Sequence, residues 1–83
     1  MRVNLKLFAM LQDLLPPGTP DHTLPLDLEE GTTARQVIER MRIPKEMAHL
    51  VMIDGTHLLP QEINERPLQE GDTLAIFPPI AGG

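Results

Sequence analysis

The first eight residues, MRVNLKLF, alternate strictly: Val3, Leu5 and Leu7 fall on one side, Arg2, Asn4 and Lys6 on the other. A period of two is the mark of a strand with one face on a core. The same period returns in Thr73–Phe77, where Leu74 and Ile76 share one face and Ala75 and Phe77 the other. A short chain with one-sided strands near both extremities has few ways to bury both apolar faces. The economical one is an α+β roll, with the last strand lying parallel beside the first at the centre of one sheet. By parity, Phe8 and Phe77 then fall together on the outer side of that sheet.

The segments between are cut by turn residues. Ala9–Leu15 (AMLQDLL) has Leu11, Leu14 and Leu15 at helical spacing and is stopped by Pro16-Pro17-Gly18. After a loop over Pro16–His22, Thr23–Leu28 alternates again, with Leu24, Leu26 and Leu28 on one face. Pro25 cannot donate to a ladder, so this strand belongs at an edge, or at least places Pro25 where its nitrogen points outward. Thr33 followed by Gln36 predicts a capping box opening the main helix, whose apolar stripe is Val37, Ile38 and Met41. Pro44 ends that helix at or before Ile43.

His49–Ile53 (HLVMI) reads as a buried strand, and Asp54-Gly55 as a tight turn into Thr56–Leu59. Pro60–Pro67 reads as polar connection. The expected architecture is a mixed sheet of about four to five strands with one main helix, in a single domain over 1–83 and with a flexible tail over 78–83.

Composition narrows the function. Seven basic residues against twelve acidic ones leave a net charge of −5, the wrong sign for a phosphate backbone, and two aromatics offer few surfaces for base stacking. Nucleic acid is an unsuited partner; a basic protein surface suits it better. No run approaches the length of a membrane span and no secretory leader is evident, so a soluble, cytoplasmic protein is expected. The chain has no cysteine and no serine, which removes disulfides, zinc–thiolate sites and both common side-chain nucleophiles. His22, His49 and His57 lack the spacing of a helical metal pair, and no glycine-rich phosphate loop is present. Loop histidines at a surface, with no metal, are expected, and Asp27, Glu29 and Glu30 read as a solvated strand end.

The tail carries more. The chain finishes FPPIAGG. Pro78 and Pro79 cannot extend a ladder and favour an extended path away from the body. At ~3.3 Å per residue, Pro78–Gly83 can reach about 20 Å. Ile80 and Ala81 lead to Gly82 and Gly83, which have no Cβ and suit a narrow channel in a partner. A tail so built delivers a carboxylate elsewhere. Beside it, Phe8 and Phe77 either form an exposed aromatic patch of the kind interfaces favour or pack away, one into the helix and the other under a loop.

GDTLAIFPPIAGG, Gly71 to Gly83, resembles the C-terminal signature of the ubiquitin-like sulfur carriers, most closely the small, sulfur-carrying subunits of molybdopterin synthase. VNLKLFAMLQDLL, GTTARQVIERM and MIDGTHL resemble the same family's opening, main helix and strand–turn segment, so the likeness runs over nearly the whole chain. Two positions depart from it: Gln12 stands where the family commonly has Arg, and Asp54 where it favours Asn. The resemblance implies a β-grasp fold. It implies a non-catalytic carrier that binds no cofactor itself, whose Gly83 carboxylate is adenylated by a ubiquitin-activating-like enzyme using ATP. A sulfur donor enzyme then converts the adenylate to a thiocarboxylate. The tail, Pro78 to Gly82, threads into the large subunit of the synthase, where the sulfur builds the dithiolene of molybdopterin, with Phe8 and Phe77 as docking residues. Two alternatives stand beside this. One is a related carrier or modifier serving thiamine, tRNA thiolation or lysine conjugation; the other is a binding module with an inert tail.

Overall fold

The computed structural model describes residues 1–80, and the expectations placed on Ala81, Gly82 and Gly83 lie outside the described residues. Five strands form one sheet: β1 (Arg2–Leu7), β2 (Thr23–Asp27), β3 (Leu50–Ile53), β4 (Thr56–His57) and β5 (Thr73–Phe77), in the order β2-β1-β5-β3-β4. The strands from the two ends of the chain are central neighbours and run parallel, with Leu5 opposite Leu74 and Leu7 opposite Ile76. β2 pairs antiparallel with β1, and β3 antiparallel with β5. Pro25 lies in β2, at the sheet edge, where its missing N–H breaks no ladder.

The aliphatic residues at alternate positions build the core. Val3, Leu5, Leu7, Leu74 and Ile76 are each 0% exposed. Against them pack Ala34, Val37 and Ile38 of the main helix, α1 (Ala34–Arg40). Its capping box forms as the sequence requires: the Gln36 N–H donates to Thr33 Oγ1 at 3.3 Å, and the Thr33 N–H to Gln36 Oε1 at 2.9 Å. Every buried side chain among the described residues is apolar. With aromatics absent from this core, its stability comes from many small aliphatic contacts.

The Asp54-Gly55 turn joins β3 to β4 with both residues at positive φ, 49° and 84°. That is the mirror-image turn whose twist suits a two-residue hairpin. Asp54 does more than turn the chain. Its Oδ1 accepts from the Thr73 N–H at 2.9 Å, and its own N–H donates to the Thr73 carbonyl at 3.0 Å. The hairpin is thereby pinned to the start of β5.

Three expectations need correction. Pro60–Pro67 is not merely connection: Pro60–Glu65 is a second helix, α2. Pro60 occupies its first turn, where no N–H is missed, and Glu62 Oε1 accepts from the Leu59 N–H at 2.9 Å. α2 buries only Ile63, so its apolar signature is a single residue. HLVMI is buried on one face alone; Val51 and Ile53 enter the core, whereas Leu50 and Met52 are half-buried on the other side. Ala9–Leu14 winds as a tight 3₁₀ helix that buries Leu11 but leaves Leu14 41% exposed; Leu15, already extended beyond its end, turns inward.

Candidate tail base and docking face

The site begins with the parallel register. Leu7 lies opposite Ile76, and one step further along the chain come Phe8 and Phe77. Phe8 keeps an extended backbone, so it continues the outward parity of Asn4 and Lys6. The Phe8 N–H donates to the Ile76 carbonyl at 3.3 Å, holding the two chains together past the end of β1. The rings then stack, centroids 4.1 Å apart and planes 11° from parallel. Both are half-buried. The chain's two aromatics therefore form one unit on the outer side of the sheet, and neither is packed away under a loop. Aromatic pairs of this kind contribute about 0.5–1.5 kcal/mol beyond area burial.

Immediately after Phe8 the chain reverses. Ala9 has φ 52°, in the left-handed region that alanine seldom adopts, and the 3₁₀ helix follows. This reversal leaves Met10 62% exposed beside the phenylalanines. On the other flank, β3 supplies Leu50, opposite Phe77 in the ladder, and β4 supplies His57, opposite Met52. Phe8, Met10, Leu50, Phe77, His49 and His57 line a shallow apolar groove, which Pro78, Pro79 and Ile80 complete at the start of the tail.

The last backbone tie of β5 is the N–H of His49, which donates to the Phe77 carbonyl at 3.0 Å. Pro78 and Pro79 have no N–H to offer the sheet. Pro78 is half-buried, Pro79 is exposed, and Ile80 is 83% exposed. The tail thus leaves from the centre of the sheet, at the edge of the apolar groove.

The charged pairs lie elsewhere. Arg2 Nε and Nη2 meet Asp27 at 3.0 and 3.1 Å, near the opposite end of β1. The hydrogen bond and the charge of Arg2 lower the Asp27 carboxyl below its ordinary value and raise the guanidinium correspondingly. Lys6 Nζ meets Asp21 at 3.3 Å. Among the described residues no group of acidic or histidine side chains is arranged to hold a metal ion. None of their helices is long and apolar enough to cross a membrane.

The structure brings together Phe8, Phe77, Pro78 and Pro79, which the sequence singled out. Sequence reasoning missed Met10, Leu50 and His57 as their neighbours. The alternation of Leu50 and Met52 against Val51 and Ile53 held that signal. The reversal at Ala9 left no trace in residue type.

The ThiS family model matches residues 5–83, all but the first four positions. The chain belongs to the ThiS family. Its fold is the ubiquitin-like β-grasp of sulfur carriers, the family its terminal residues resemble. No curated protein matches the ThiS-family chain. Among solved structures, SAMP1 from Haloferax volcanii superposes with a TM-score of 0.69 at 21% identity, covering 100% of both chains. A Pyrococcus furiosus protein assigned provisionally as subunit 1 of a molybdopterin converting factor gives 0.69 at 22% identity, covering 96% of this chain and 99% of its own. A complex of subunits 1 and 2 of the molybdopterin-converting factor from Helicobacter pylori gives 0.61 at 15% identity, covering 100% of both. At these identities the likeness is one of fold.

Proposed function

We propose that this ThiS-family chain carries sulfur on Gly83 as the small subunit of a molybdopterin synthase. The observation that carries the reading is the family match running through the FPPIAGG tail, on a fold where that tail leaves an apolar docking groove. A carboxylate is a poor electrophile. Attack of the Gly83 carboxylate on the α-phosphorus of ATP forms an acyl-adenylate and releases pyrophosphate. A sulfide equivalent from a donor enzyme then displaces AMP and leaves a thiocarboxylate. In the large subunit, two such thiocarboxylates give up one sulfur each, in turn, to a pyranopterin precursor to build the dithiolene, and water returns each terminus to a carboxylate. This chain supplies the reactive end and a docking face, and its partners supply the catalytic groups. Likeness in fold to subunit 1 of molybdopterin converting factors, one of them in complex with a subunit 2, supports the large-subunit partner.

A second reading has its own support. Likeness to SAMP1, a small archaeal modifier protein, fits the same activated glycine acylating a lysine amine. The acceptor separates the two readings.

The test is intact mass after incubation with activating enzyme, ATP and sulfur donor. An oxygen-for-sulfur exchange is expected, lost on deleting Gly83, and the thiocarboxylate form should yield dithiolene product with the large subunit and precursor. Gly82→Val should obstruct adenylation by adding β-branched bulk near the reacting end. An unmodified Gly83, or an activated Gly83 whose acyl group goes only to lysine amines with its activating group released, would contradict the synthase role.

A further inference from the structure

Past Phe77, the backbone offers the tail little to hold on to. Pro78 and Pro79 cannot donate to the sheet, and Ile80 is 83% exposed, so it does not anchor itself. The last fixed point is Phe77, tied through its carbonyl to the His49 N–H and through its ring to Phe8. Two consecutive prolines form a stiff, extended lever, so the orientation of Phe77 is passed on to the residue beyond them. Phe8 is itself set from the body: its N–H is held by the Ile76 carbonyl, and the left-handed Ala9 ends the strand directly behind it.

We propose that Phe8 is a positioning residue, whose ring, stacked on Phe77, sets the direction in which the Pro78-Pro79 lever leaves the sheet. The flat face of the ring is the operative feature. At 4.1 Å and 11° it blocks rotation of the Phe77 ring toward β1, and a rounder apolar side chain offers no such plane. By this device the tail base is preorganised in the free carrier, before any partner is met, which lowers the ordering cost of threading. Although the tail's role as the acting end is the reading above, this geometry is tested in the isolated full chain with no partner enzyme.

Ile80 carries the first amide proton beyond the prolines and is the probe. Its ¹⁵N order parameter in the unaltered chain should lie between the rigid value of about 0.85 and the flexible limit of about 0.6. Phe8→Ala and Phe8→Leu should both drop it below about 0.6 while the amides of Leu5, Leu74 and Ile76 keep their shifts. Phe8→Tyr, which restores a flat ring, should bring it back. Phe8→Leu keeps apolar volume, so it stands in if the alanine variant does not fold. An Ile80 order parameter already below the flexible limit in the unaltered chain would overturn the assignment. So would one unchanged in folded Phe8→Leu, or one lowered equally by Phe8→Tyr.

Discussion

On strand β5, Leu74 and Ile76 are wholly buried while Ala75 and Phe77, one step away in each case, are half-exposed. The same strand thus serves two surfaces. The inner pair meets Leu5, Leu7, Val51 and Ile53 across the ladders, and the outer pair faces the side where the tail departs. The inner residues are interchangeable aliphatics whose value is volume. The outer face holds the chain's two aromatics, stacked. Under the function proposed above the division is needed: the tail must be free of the core yet start from a fixed place.

The strongest way to break the comparison is from inside. Ile76→Ala empties part of the core between β1 and β3 and should cost about 2–5 kcal/mol of stability. Urea unfolding should show a lower midpoint at unchanged slope, and the folded fraction should still bind the large subunit. A variant that lost affinity but kept its midpoint would erase the distinction between the faces.

Thr33→Ala sharpens it from the helix side. It removes the acceptor for the Gln36 N–H and should cost about 1 kcal/mol, lowering Tm by about 4–8 °C for a domain of this size. Affinity for partners should be untouched, because Thr33 is not among the residues lining the groove.

The smallest effect belongs to the Arg2–Asp27 pair. Asp27 has a lowered folded pKa, so whatever stability it contributes is present above its unfolded pKa and lost as pH falls through the folded value. Both side chains are well exposed, at 62% and 76%, so solvent and salt screen the pair. Asp27→Asn should flatten a slight acid-side slope in the Tm–pH profile at low salt, and the difference should vanish in high salt. A large shift at neutral pH would mean the pair supports β1–β2 more than its exposure allows.

Much of this division was legible in the sequence. Alternation gave β1 and β5, the proline gave the edge position of β2, and Thr33 with Gln36 gave the start of α1. Parity placed Phe8 and Phe77 on one face, and the structure stacks them. The illegible parts have physical reasons. α2 buries one residue, Ile63, so no periodicity marks it, and only Pro60 and Glu62 hint at a helix start. Leu14 has the spacing of a core residue, but a 3₁₀ segment that ends in an extended Leu15 does not bury what an α-helix would. The left-handed Ala9 is imposed by its surroundings, since alanine itself disfavours that conformation. The groove around the tail base needed the β3–β5 pairing, a contact between residues far apart in the chain.

Phe77→Ala tests the central claim most directly, because it removes the outer residue nearest the tail and leaves the inner face whole. Two numbers decide it: Tm of the variant alone and its Kd for the large subunit. Truncating a buried interface aromatic commonly costs about 2 kcal/mol or more, roughly thirtyfold in affinity. The expected result is a variant that stays folded, with Tm lowered only by the lost stack, and that binds about thirtyfold more weakly. A fall in Tm as large as that of Ile76→Ala, with normal affinity in the folded fraction, would contradict the claim and make Phe77 a core residue.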